Sequence, residues 1–95
     1  MDTEMKNAIN ECHTLSRCEK KILAILNEIN YPLPASHIQD LMNNSKQALH
    51  YPLQKLLKKE FVERSKDGVY LYALNESKIK TLVDLYKKTK RYKQE

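Results

Sequence analysis

FVERSKDGVYLYAL, residues 61–74, is the stretch in which the hydrophobic period of this chain changes. Phe61-Val62-Glu63-Arg64-Ser65 and Val69-Tyr70-Leu71-Tyr72-Ala73-Leu74 are rich in β-branched and aromatic residues, which predicts two strands. Lys66-Asp67-Gly68 lies between them, and Asp-Gly marks a hairpin turn because glycine tolerates positive φ. Tyr70 and Tyr72 alternate with Val69, Leu71 and Ala73, so one row faces a core and the other is exposed. Tyr72 is expected on the core side.

Upstream the spacing is helical. Leu49, Leu53, Leu56 and Leu57 predict a helix running to about Lys59, with Asn44 and Ser45 as N-cap candidates. Asn43-Asn44-Ser45 reads as a turn, preceded by a helix over roughly 34–42 with Pro34 in its first turn and Ile38, Leu41 and Met42 inward. Asn30-Tyr31-Pro32-Leu33-Pro34 stops the helix before that one, since each proline disfavours helix for its predecessor. That earlier helix opens on Ser16-Arg17-Cys18-Glu19, a capping box, and carries Ile22, Ile25, Leu26 and Ile29 on one face. Met5, Ala8, Ile9 and Cys12 predict a short leading helix. Downstream, Asn75 or Ser77 caps a last helix with Ile79, Leu82, Val83, Leu85 and Tyr86, ending in the basic tail KKTKRYKQE.

The order is helix, helix, turn, helix, hairpin, helix. The expected fold is mainly α with a small β-hairpin wing: a winged helix-turn-helix. The 95 residues allow one modest core, so the whole chain, 1–95, is read as one domain. Within it, 1–15 is an N-terminal extension, 16–74 the core and wing, and 75–95 the C-terminal helix and basic tail.

Charge is distributed unevenly. Residues 1–44 hold four basic and six acidic side chains, a net of −2, while 45–95 hold thirteen and six, a net of +7. A basic C-terminal half attracts polyanions, chiefly nucleic acid or an anionic membrane surface. Charges interrupt every apolar run, so no membrane span or membrane partner is expected. MDTEMKNAIN lacks the pattern of a secretory signal, which predicts a cytoplasmic protein with Cys12 and Cys18 reduced.

Residues 33–74 resemble winged-helix transcription regulators of the MarR, ArsR and PadR superfamily. Ile38-Gln39-Asp40-Leu41-Met42 fits the second helix of their shared run, Asn43-Asn44-Ser45 the turn, Ser45-Lys46-Gln47-Ala48-Leu49 the start of the recognition helix, and Phe61-Val62-Glu63-Arg64 the first wing strand. The resemblance implies binding to double-stranded DNA and regulation of transcription, repression by a homodimer being the expected form. Two departures stand out. Glu60 replaces the usual glycine before the wing, so that turn is expected to form without a positive φ. Pro52 lies inside the recognition helix, where it removes one backbone bond.

A recognition helix presents its N-terminal residues to base edges in the major groove. Ser45, Lys46, Gln47, His50 and Gln54 avoid the leucine row and so project outward. Glutamine pairs bidentately with adenine, lysine or histidine donates to guanine, and serine bonds a base edge or a phosphate. Tyr51 is expected to reach a phosphate or to stack on the Pro52 hinge. Arg64 and Lys66 on the wing are candidates for phosphate or minor-groove contact. The competing reading of each polar face is plain solvation.

Ile79, Leu82, Val83, Leu85 and Tyr86, extended by Tyr92, make the last helix apolar over more than one face. That width suggests a homodimer interface, the alternative being a helix folded back on its own core. A different function class also remains: a winged-helix protein–protein interaction module in a larger nucleic-acid-handling assembly. RNA binding is a weaker third reading, lacking an exposed aromatic sheet motif. Cys12, His13 and Cys18 match no strong zinc spacing, though Cys18 in a first helical turn is placed for a lowered pKa and oxidant sensitivity. No phosphate loop, nucleophile elbow or zinc-hydrolase motif is present, so neither enzyme activity nor a cofactor is expected.

Overall fold

The expected order of elements is present, with one addition. In the computed structural model, which describes residues 3–43 and 45–93, the chain runs α1 (Thr3–Asn10), α2 (Arg17–Ile29), β1 (Leu33–Pro34), α3 (Ala35–Met42), α4 (Lys46–Lys58), β2 (Val62–Asp67), β3 (Val69–Leu74) and α5 (Glu76–Lys93).

The capping box forms as read. The Ser16 hydroxyl accepts from the Glu19 N–H at 3.2 Å, and the Glu19 carboxylate accepts from the Ser16 N–H at 2.9 Å. Ile22, Leu23 and Leu26 fill the core side of α2, while Ile25 and Ile29 are only half-buried. Leu23, absent from the expected stripe, is thus deeper than two of its members. Asn30, left-handed at φ 62°, ends the helix.

β1 is the addition. Leu33 pairs with Tyr72 and Pro34 with Leu71, giving an antiparallel sheet of order β1-β3-β2. Pro34 therefore precedes α3, at its N-cap, and is not within its first turn. A proline tolerates this edge position because its missing N–H is not needed there. Ile38 is fully buried on α3, but Leu41, expected inward, is 49% exposed. The two-turn helix presents one narrow side to the core, and half-buried Ala35 and Met42 share it with Ile38.

Ser45 caps α4, accepting from the Ala48 N–H at 3.1 Å; the other candidate, Asn44, lies outside the described residues. Leu49, Leu53 and Leu56 are buried, and α4 continues through Pro52. The proline costs about 3 kcal/mol, and three buried leucines at about 1.5–3 kcal/mol each outweigh it.

The turn after α4 corrects the reading of Glu60, which adopts φ 67°. Its N–H donates to Leu57 O at 3.1 Å and the Phe61 N–H donates to Leu56 O at 3.1 Å. These are the two bonds of a Schellman motif, whose left-handed position usually belongs to glycine. Gly68 also takes a positive φ, 77°, at the hairpin tip, where β2 runs two residues further than expected.

α1 and α5 pack on each other, placing Ala8, Ile9, Ile79 and Val83 in the same hydrophobic cluster as the other helices. Lys20 donates to Asn10 O at 2.6 Å, a cation at the α1 C-terminus where the helix dipole favours it. Behind α4, the Lys59 ammonium donates to Glu19 Oε2 at 2.9 Å and to Thr14 O at 2.8 Å. Burial pushes the Glu19 carboxyl up, but the bonds from the Ser16 N–H, Lys59 and the Ser16 hydroxyl outweigh it, and its pKa lies below the ordinary value.

Candidate nucleic-acid interface

The leucine row fixes what α4 shows to solvent. With Leu49, Leu53 and Leu56 inward, Gln47, His50, Tyr51 and Gln54 are all exposed. Spacings of three and four residues place them on one continuous helical face. Ser45 stands exposed at its start; its hydroxyl oxygen caps the helix, which leaves the hydroxyl hydrogen to donate outward. Lys46 begins the helix, and its side chain lies outside the described residues. Tyr51 is 67% exposed, and the Lys55 ammonium sits 4.9 Å from its ring centroid. The ring thus pairs with a cation on the next turn.

Lys55 and Lys58 extend the same face and were not among the expected residues. Their signal was available, since they follow Tyr51 and Gln54 at the helical spacing of four. No acidic residue occurs between Ser45 and Lys59. Lys59, by contrast, is spent on Glu19 and Thr14.

The hairpin carries a second cluster. Arg64 and Lys66 are exposed on β2, and Tyr70, 46% exposed, lies beside both on β3. The Arg64 guanidinium is 4.4 Å and the Lys66 ammonium 5.5 Å from the Tyr70 ring centroid. Tyr72, two residues on, is buried as expected. The site is therefore two clusters, one on α4 and one on the wing. The turn at Lys59–Phe61 joins them, and Leu56, Phe61 and Val62 on either side of it are buried.

The α5 residues fall into two groups. Ile79 and Val83 are buried in the chain's own core, and Leu82 and Tyr86 are half-buried against it. Leu85 is 57% exposed. The Tyr92 side chain lies outside the described residues.

Cys18 does not match the sensitised thiol considered for it. Burial pushes the Cys18 thiol above its ordinary value, Lys21 pulls it down less, and the Glu19 carboxylate adds to the rise. Cys12 is half-buried with its sulfur 3.2 Å from the Thr14 hydroxyl. Among the described residues no three His, Cys, Asp or Glu side chains gather as a metal site, and no helix is long and apolar enough to cross a membrane.

No protein-family profile matches the chain, and no curated protein matches it in sequence. Solved structures do match its shape. A protein of the thermoacidophilic archaeon Sulfolobus tokodaii is similar at a TM-score of 0.69 and 22% identity, over 95% of this chain and 94% of that one. A point mutant of Lactococcus lactis ZitR is similar at 0.63 and 23% identity, over 84% of this chain and 58% of ZitR. The RV1404 protein of Mycobacterium tuberculosis gives 0.67 and 15%, over 95% of this chain and 65% of its own. This chain thus spans less than two thirds of the latter two. At these identities the likeness establishes the fold, and that fold is the winged helix-turn-helix.

Proposed function

We propose that this chain binds double-stranded DNA sequence-specifically and regulates transcription as a member of the MarR/ArsR/PadR-like superfamily. The observation that carries this reading is the outward face of α4, which is polar, basic and free of carboxylates from Ser45 to Lys59. Such a face suits the acceptor-rich major groove, and a cationic hairpin beside it suits backbone phosphate. In this reading Gln47 and His50, with Lys46 and Gln54, contact base edges, while Ser45, Tyr51, Arg64 and Lys66 contact phosphate. The winged-helix likeness to ZitR supports it at the level of fold. The protein acts by binding, not by catalysis.

Repression by a homodimer is the form we infer. Residues 16–74 would touch DNA, and α5 with the N-terminal extension would join two copies. Since Ile79 and Val83 are used internally, the joining surface is the outer side of α5 around Leu82, Leu85 and Tyr86. Binding to random duplexes across a salt series tests the reading: affinity is expected to fall linearly with salt on logarithmic axes. Selection of bound genomic fragments then tests specificity.

One observation favours a second reading, the protein-interaction module. Leu41 and Tyr51, at 49% and 67% exposure, offer apolar surface on both helices of the helix-turn-helix. Salt-insensitive or absent duplex binding would move that reading ahead.

A further inference from the structure

Lysine and arginine side chains on a solvated hairpin normally sample many rotamers, and two of them side by side repel. The wing contains a device against both effects. Tyr70 stands opposite Lys66 in the β2–β3 register and diagonal to Arg64, whose own cross-strand partner is Tyr72. A single ring thus has the guanidinium at 4.4 Å and the ammonium at 5.5 Å. The ring's electron-rich face attracts each cation and orders it. Strand alternation sends Glu63 and Asp67 to the other side, and among the described residues no carboxylate pairs with Arg64 or Lys66. Their charge is oriented without being neutralised.

We propose that Tyr70 is a positioning residue of the wing, holding Arg64 and Lys66 as a pre-ordered cationic clamp for two backbone phosphates of a duplex. Side chains ordered before the ligand arrives lose less freedom on binding. The proposal rests on duplex DNA being the ligand, and its test separates the two claims.

The test is equilibrium binding of the full chain to a random-sequence duplex across a salt series, with thermal melts to compare folding. Tyr70→Leu keeps every charge and is expected to weaken binding about threefold, with the salt slope unchanged because the phosphate count is unchanged. Tyr70→Phe keeps the ring and is expected to restore wild-type affinity. In a chain already carrying Arg64→Ala and Lys66→Ala, adding Tyr70→Leu is expected to change nothing further. An equal loss in that background would mean that the ring meets DNA itself or only shapes the hairpin, and the clamp is overturned. Loss in the Phe variant assigns the effect to the hydroxyl and overturns it too. Wild type that binds while Tyr70→Leu binds equally well removes the ring's role alone; wild type that binds no duplex removes the DNA reading beneath it.

Discussion

The Asn75 side-chain amide donates to the Glu60 carbonyl at 2.9 Å, and the Asn75 backbone N–H donates to Phe61 O at 2.9 Å. The same side chain's oxygen accepts from the Lys78 N–H at 3.5 Å, at the start of α5. One residue therefore braces the left-handed turn that enters the wing and begins the helix that leaves it.

Glu60→Gly removes a Cβ from a φ of 67°. The variant is expected to be more stable by about 0.5–1 kcal/mol after the entropy gained by the unfolded glycine chain is discounted. Asn75→Ala loses both the brace and the cap and is expected to cost about 1–2 kcal/mol. Urea melts measure both, and a destabilised Glu60→Gly would show that the glutamate side chain compensates its own strain.

Acid is expected to loosen the fold through Glu19. Its folded pKa is lowered, so its contribution is complete above about pH 4.3, the ordinary glutamate value. That contribution is lost as pH falls through the lower folded value. Glu19→Gln, which does not titrate, is expected to be less stable at neutral pH and to lose less on acidification. Parallel pH–stability curves for the two proteins would exclude this role.

Gln47→Ala tests base reading by α4. A lost bidentate contact removes roughly 1–3 kcal/mol of discrimination at one base pair, so preference is expected to relax at one position per half-site. Nonspecific affinity stays nearly constant. A library of single-base operator variants measures this, and unchanged preference everywhere would remove Gln47 from the reading face.

Arg64→Ala and Lys66→Ala are expected to weaken binding to every sequence alike. Each lost phosphate contact lowers the logarithmic salt slope by about 0.9. A change in base preference at constant slope would instead make the wing a reader of sequence.

Assembly is tested at Leu85. Truncation before Ile79 is uninformative because it strips Ile79 and Val83 from the core. Leu85→Lys leaves that core intact and is expected to shift the sedimenting species from dimer to monomer and to weaken operator binding. Half-sites about one helical turn apart are the matching DNA geometry. Parent protein that already sediments as a monomer at micromolar concentration argues against the dimer.

What was legible in the sequence was local. The Ser16–Glu19 box, the 49, 53, 56 leucine row and the Asp67-Gly68 turn each carry their signal within a few residues. β1 does not: two residues become a strand only because Leu33 and Pro34 find Tyr72 and Leu71 far along the chain. The positive φ of Glu60 was hidden for a similar reason, since part of its support comes from Asn75. On the site, the outward face of α4 followed from periodicity. The Tyr70 pairing needed the strand register, which alternation alone does not fix. Leu41 went astray because a two-turn helix has too few residues to define its buried side.

The pairing of α1 with α5 has a consequence for the order of assembly. It joins the two elements most distant along the chain, and the entropy of closing a loop rises with its length. The hairpin and the α2–α4 contacts close shorter loops and form without waiting for it. Loop closure then predicts that the terminal pair is the last layer to dock and the first to lift. Amides of α1 and the outer turns of α5 are expected to exchange with solvent through an opening that leaves α4 and the wing protected. In a dimer joined through α5, that opening would dissolve the assembly before it unfolded the part that touches DNA.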